Sequence, residues 1–499
     1  MKKITNIIGV VLTVVLAIAS SCDDYLDVNV SPNNLPNASV QSLLPGAQIG
    51  TGFFVGNTAQ IISSLWMQQM AGTGTQTDPY DRYNVSPENN EWNAIYATLL
   101  DDLEQIVQQG REEGNFHYAG MARIQQAYVY LVATDLWGDI PFSQALNYEE
   151  FPRPVYDPQE QVYAGVVQLL DEGLADLDRT TVIAASVGDQ IYQGDLAKWR
   201  KAANSIKLKL YLQSRKANPN SASAITQLVT EGNLISSNAE NFNVNFFPSS
   251  GSFNPIYMYQ HQTRINDMIL SQRFYDSLSA LNDPRLPVFF TRTNGSYVTY
   301  DNGVFTAVPF TSPNRSRWGV YVVGNGTQNA NGTITNGGGA PIRLITLTMV
   351  NFWLAEAALT LGTPGDPAEY FRQALRAQFD DIAAFVGAGN LPANFQTDAT
   401  AYIDRRVAAF QAASSTEGKL NILIRDKWAS SVGNAYEAYN DYRRTGYPRL
   451  ELTQNPQVGV TRIPTRWPYA LGEIQGNSQN VPLQDYPSGL LVPVWWMSE

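Results

Sequence analysis

Carboxylates, imidazoles and thiols are the side chains that most often carry covalent or metal chemistry, and this chain arranges few of them to do so. Glycoside hydrolysis needs two carboxyl groups facing each other across a cleft. The pairs Asp101 with Asp102, Glu112 with Glu113 and Asp380 with Asp381 are instead adjacent on or beside helical stretches. Neighbouring side chains on a helix diverge, so these pairs read as solvated faces. His117 and His261 are the only two histidines, and they stand too far apart in sequence to suggest a metal site of His ligands. No HExxH, GxSxG or GxxxxGK occurs. Calcium held by loop Asp and Asn remains open, although EF-hand spacing is absent. The chain is expected not to be an enzyme, and no cofactor is implied.

The single cysteine of the 499 residues, Cys22, follows Lys2, Lys3, an apolar run from Ile7 to Ala19 and the small residues Ser20 and Ser21. That is the layout of a secretory signal over residues 1–21, and the small-small-Cys ending resembles a lipobox. Cleavage before Cys22 would leave an acylatable N-terminal cysteine, expected to hold the protein to a membrane without spanning it. A cut elsewhere would leave a free thiol or remove it, giving an ordinary secreted protein. With Cys22 lipidated no disulfide can form, so stability must come from burial. The formal net charge of −12 becomes −14 once Lys2 and Lys3 leave with the signal. Such a balance repels phosphate backbones and excludes nucleic acid as a natural partner.

Hydrophobic spacing supplies the elements that must position any site. Trp92, Ile95, Tyr96, Leu99, Leu103, Ile106 and Val107 recur at intervals of three and four, predicting a helix from about residue 89. Similar stripes run over 118–137, 158–178 and 195–216, then over 342–361, 366–384, 400–413 and 419–444. Eight helices in four pairs, over about 89–217 and 342–446, predict a mainly α, tetratricopeptide-like scaffold in which each pair buries its stripe against the next. The apolar stretch from Ile342 is interrupted by Arg343, Asn351 and Glu356 and reads as a buried helix, not a membrane span. Residues 218–340, rich in Asn, Ser, Gly and aromatics, predict an irregular insert with short strands. A loop-rich tail follows over 447–499.

Several segments together resemble one family. Cys22 followed by "DDYLDVNVSPN", the helix "MVNFWLAEAAL", the segment "LNDPRLPVFF", and "YEAYNDYRRTGYPRL" with "RIPTRWPY" are similar to the SusD/RagB family of Bacteroidetes outer-membrane nutrient-binding lipoproteins, in its SusD-like branch. The resemblance spans nearly all of residues 22–499. It implies four tetratricopeptide-like helix pairs in a right-handed scaffold carrying an irregular ligand-binding region. It also implies a lipid-anchored protein at the cell surface that captures an oligosaccharide or other nutrient and passes it to a SusC-like TonB-dependent transporter. Asp23 and Asp24 resemble the surface-export signal of such lipoproteins.

Sugar rings pack their C–H faces on aromatic rings, while nearby amides and charged groups pair their hydroxyls. Two segments offer that mixture. "TGTQTDPYDRYN" holds Tyr80 and Tyr83; "NRSRWGVY" holds Asn314, Arg315, Arg317, Trp318 and Tyr321. Of these, Tyr80, Tyr83, Asn314, Arg317, Trp318 and Tyr321 are the expected ligand-binding residues. Tyr257 and Tyr259 alternate as on a strand, and core packing is their expected role. Trp92, Trp137, Trp199, Trp353 and Trp428 lie in helical stripes and read as core, and Trp495 and Trp496 as ties for the tail. Arg443 and Arg444, at a helix end, read as structural. Two other readings stand beside nutrient capture: a lid subunit without ligand contact, and a binder of peptides.

Overall fold

The computed structural model describes residues 38–87, 89–304 and 312–497 of the chain. Cys22 and the signal-like segment lie outside them. Two antiparallel helix groups form the scaffold. The first contains α3 (Leu100–Glu112, continuing Asn90–Ala94 through a π-turn), α4 (Phe116–Trp137), α5 (Gln159–Leu177) and α6 (Leu196–Gln213). The second contains α9 (Leu347–Leu361), α10 (Pro367–Val386), α11 (Phe395–Ala412) and α12 (Thr416–Ser430). Within each group successive helices pack side by side, and α6 meets α9 where the groups join. Helix α13 (Ala435–Thr445) closes the series against α2 (Gln60–Trp66). The predicted stripes face inward: Trp92, Trp137, Trp199, Trp353 and Trp428 are all buried.

Caps set several starts. Asp195 accepts the Lys198 N–H, Asp366 that of Ala368, with Pro367 at the first helical position, and Ser415 that of Gly418. The run predicted over 419–444 is two helices, because Gly433, at φ +90°, takes a conformation that ends regular helix between α12 and α13.

Further elements differ from the spacing-based expectation. Helix α1 (Val40–Phe54) leads through a π-turn into α2, although no clean stripe announces it. Gln48, Thr51, Gln60, Ser63 and Ser64 are buried there, which erases the apolar-polar contrast. Residues Ile342–Ile345 are a strand (β7) and not the first turn of α9; they pair antiparallel with β2 (Phe242–Val244). Thr346 then caps α9 by accepting the Met349 N–H. Two helices, α7 (Ser221–Glu231) and α8 (Gln272–Ala280), lie in the stretch expected to be irregular.

Helix α1 packs on the β2–β7 pair through glycines. A Cβ at Gly52 would come within 2.8 Å of Val244, and one at Gly56 within 2.6 Å of Ile342. The insert also carries a three-stranded sheet of β1 (Met70–Gly72), β3 (Met268–Ser271) and β4 (Thr299–Tyr300), in that order, and a small hairpin of β5 (Thr327–Gln328) with β6 (Ile334–Thr335). Among the described residues no helix is long and apolar enough to cross a membrane.

The core contains a polar spine. Asp135 of α4, fully buried, accepts hydrogen bonds from Tyr163, Tyr436, Asn440 (2.9 Å) and the Trp496 indole (3.1 Å), with Lys209 at 3.4 Å. Glu356 of α9 pairs with Arg444 at 2.7 Å and Arg215 at 2.8 Å, and Arg444 also reaches Asp441 at 2.6 Å. Burial opposes ionisation of Glu356, but the charges of Arg444 and then Arg215 outweigh it and hold its carboxyl at about 2. Removing one member of a buried ionic cluster leaves the others uncompensated, at a cost of about 3–5 kcal/mol. Glu356→Gln is therefore expected to lower the unfolding free energy by about 3 kcal/mol at pH 7, measured by urea denaturation. A loss below about 1 kcal/mol would contradict this reading of the spine.

Candidate functional site

The loops around β1, β3 and β4 converge at one edge of the insert, and backbone hydrogen bonds bring them there. The carbonyl of Asp267 accepts the N–H groups of Thr73 (2.7 Å) and Gly74 (3.0 Å) and the Thr77 hydroxyl. Gly74 is required by this approach, since a Cβ there would lie 2.4 Å from the Asp267 carboxyl carbon. Arg315 donates to Thr73 Oγ1 at 2.6 Å, and Ser316 bonds both Leu270 of β3 and Val298. The segments 73–84 and 314–321, expected from composition to carry the ligand, are thus joined at Thr73, Arg315 and Ser316 across the three-stranded sheet.

Asp81 anchors the floor. Its carboxylate accepts from Asn302 Nδ2 (2.6 Å) and from the N–H groups of Gly303 (2.7 Å) and Gly72 (3.1 Å). Burial pushes the carboxyl up to about 7 against these hydrogen bonds. Arg317, also buried, donates to the carbonyls of Ile265, Arg315, Asn331 and Pro313, at 2.8 to 3.1 Å. Burial, and then the charge of Arg315, lower its guanidinium to about 10. One arginine therefore gathers three stretches of irregular chain, around 265, 313–315 and 331, by four carbonyl oxygens.

The aromatic residues expected to contact ligand are interior. Tyr80 is 5% exposed, Tyr83 and Trp318 are 0%, and Tyr321 is 4%. Tyr80 accepts a hydrogen bond from Gln76 through its hydroxyl and from the Trp66 indole through its carbonyl. The Tyr83 hydroxyl accepts from Thr453 N–H at 3.1 Å, and its ring meets Trp66 edge to face. Tyr321 is not brought to this edge: its hydroxyl donates to Asp381 on α10, and Arg343 lies 3.7 Å over its ring. Asn314 is exposed. Around it the surface presents Gln76 and Arg264, both exposed, and the half-buried Tyr259, whose hydroxyl donates to Asp267 Oδ2 at 3.2 Å. Tyr259 was expected to pack in the core; no periodic signal in "FNPIYMYQHQTR" separates its half-exposed ring from the buried Tyr257.

The other residues weighed for chemistry have structural partners. Asp381 serves Tyr321 and Arg343. Arg443 and Arg444 are buried, Arg443 donating to the Asp135 carbonyl at 2.6 Å. Trp496 is buried on Asp135, while Trp495 is half-buried. Among the described residues no cluster of three or more His, Cys, Asp or Glu is placed to hold a metal ion.

A scaffold of paired antiparallel helices carrying one irregular, loop-bearing insert defines the structural class. The comparisons place it further. Residues 32–470 match the SusD-like family model described as "Starch-binding associating with outer membrane", and the chain belongs to that SusD-like family. Solved structures share the fold. A SusD homologue from Bacteroides fragilis superposes with a TM-score of 0.75 at 22% identity, covering 93% of this chain and 100% of its own. A SusD/RagB family protein from Bacteroides thetaiotaomicron gives 0.74 at 23%, covering 92% and 99%. A chitin-binding SusD homologue from Flavobacterium johnsoniae gives 0.73 at 21%, covering 91% and 98%. No curated protein matches the chain by sequence.

His261 ties Trp318 into this arrangement. Its Nε2 donates to the Trp318 carbonyl and its Nδ1 accepts the Ile334 N–H, both at 2.9 Å. The ring is held neutral, and burial lowers its pKa to about 3. The unfolded chain, with a value near 6.5, binds the extra proton first, so this contribution is present above about pH 6.5 and is lost as pH falls towards 3. The maximum slope is about 1.4 kcal/mol per pH unit. His261→Gln is expected to unfold with a shallower loss of stability between pH 6.5 and 4 than the parent protein; parallel urea titrations with equal slopes would contradict it.

Proposed function

We propose that the protein is a cell-surface nutrient-binding lipoprotein, held at the outer membrane through acylated Cys22, that captures an oligosaccharide and delivers it to a SusC-like TonB-dependent transporter. Family membership supports the class, since the family is described as starch-binding and associated with the outer membrane. The observation that carries the site is the joining of residues 73–84 and 314–321 across the three-stranded sheet. Two loops far apart in sequence, fixed to one edge by backbone bonds, make a preorganised surface, which lowers the entropy lost on binding.

The division of labour follows from burial. Tyr80, Tyr83, Arg317 and Trp318 shape the loops from within, and Tyr321 steadies the insert against α10. Asn314, Gln76, Arg264 and the ring of Tyr259 form the ligand-facing surface. Capture of this kind requires no covalent step, and the energy for uptake belongs to the transporter. The interior placement of the expected rings leaves little apolar platform on this face, which favours, as a second reading, a lid whose ligand cavity the transporter completes.

Calorimetry on residues 23–499 with a panel of plant, algal and host oligosaccharides, and peptides in a parallel arm, tests the proposal. Saturable heat with one glycan, weakened at least about tenfold (about 1.4 kcal/mol) in Tyr259→Ala and Asn314→Ala, is expected. Heat with peptides alone, or glycan binding indifferent to both substitutions, would contradict it.

A further inference from the structure

A roomy cleft lies in the helical scaffold and shares no residue with the loop edge. It is a space of about 680 Å³ between α5 and α7, floored by α6 and closed at one end by Trp495 of the tail. That volume lies in the range of sites that enclose a small ligand. Its wall combines two half-buried rings, Tyr211 and Trp495, with the amides of Asn218, Asn220 and Gln227. Glu160 is the one charged residue among the lining residues.

The rings are fixed in place. Tyr163, itself buried, meets Trp495 edge to face with centroids 5.4 Å apart, and the backbone N–H of Trp495 donates to Gln159 Oε1 at 2.8 Å. Tyr211 projects from the rigid helix α6. The amides come from the turn that leads into α7 and from its exposed side, where Asn220 and Gln227 stand in solvent. The cleft continues past Tyr211 into a second space of about 560 Å³, where both cations are paired, Lys207 with Asp171 and Arg200 with Asp178 at 2.9 Å, and Glu231 adds one further acid.

We infer that this cleft is a second binding site, for a neutral saccharide. Rings pack the C–H faces of pyranoses, amides both donate to and accept from their hydroxyls, and a wall nearly free of charge neither attracts an ion nor needs a counter-ion for its own. An anionic ligand would meet Glu160 with no unpaired cation in the lining, and a purely apolar one would cover the amides of Asn218 and Asn220 without pairing them, Gln227 already donating to Glu231 at 2.8 Å. The inference is independent of the loop-edge site, because neither the residues nor the elements overlap.

The test is a titration of residues 23–499 with maltohexaose and, separately, with chitohexaose. Ala164, exposed on the α5 wall of the cleft, is replaced in Ala164→Trp to fill the space without removing core. Tyr211→Ala removes one platform, and circular dichroism checks that both variants fold. The expected result is saturable binding by at least one saccharide, with an association constant for one class of site that falls at least tenfold in both variants and is unchanged in Tyr259→Ala. Absence of binding by both saccharides, or binding unaltered in Ala164→Trp and Tyr211→Ala, overturns the inference. Loss only in Tyr259→Ala would leave the loop-edge site standing and remove this one.

Discussion

A carboxylate sealed from water needs hydrogen bonds or a counter-charge, and Asp135 obtains them from four separate parts of the chain. Tyr163 of α5, Lys209 of α6, Tyr436 and Asn440 of α13 and the Trp496 indole of the tail all turn towards it. Helix α13 is the shared member, and its other polar residues continue the demand: Glu437 takes Lys209 at 2.9 Å, Asp441 takes Lys427 at 2.7 Å, and Arg444 takes Glu356. Apolar packing alone tolerates sliding between helices. A polar network whose members would be stranded by a shift fixes one registry, because each unmatched buried group costs several kilocalories per mole.

That fixed scaffold gives the irregular insert something to lean on. The β2–β7 pair lies against α1 through Gly52 and Gly56. The three-stranded sheet is bound to α2 through Asn302, whose Nδ2 donates to the Met70 carbonyl of β1 at 2.8 Å and lies 3.5 Å from the Leu65 carbonyl of the helix. Its loops are held by side chains bonding to backbone: Arg317 to four carbonyls, His261 to a carbonyl and an N–H, Asp81 to two N–H groups. Irregular backbone cannot satisfy its own polar groups when buried, so buried polar side chains take the place of secondary structure.

Helix pairs were readable because tryptophan and leucine recur at helical spacing wherever one face meets water, as around Trp92 and Trp199. Where both faces are buried the contrast disappears: α1 and α2 hide Gln48, Gln60 and Ser63, and β7 hides all four of its residues. The two segments that converge at the loop edge were identifiable by composition. Which of their side chains point outward was not, since Asn, Gly and Pro mark a loop without fixing the direction of its rings. The backbone of Tyr80 and Trp318 is held by Trp66, Gln260 and His261, partners that lie 14 to 58 residues away, and both rings are buried. The signal for Asp135 was a lone acid inside an apolar helix, next to which only the tertiary fold supplies donors.

The most direct measurement is isolation of the protein under its own promoter, by an affinity tag after residue 499, from detergent-solubilised outer membranes, with mass spectrometry of whatever accompanies it. The account predicts an acylated N-terminal cysteine at residue 22 and a TonB-dependent transporter in equal amount. Recovery of an unacylated protein from the soluble fraction, with no barrel attached, would contradict it.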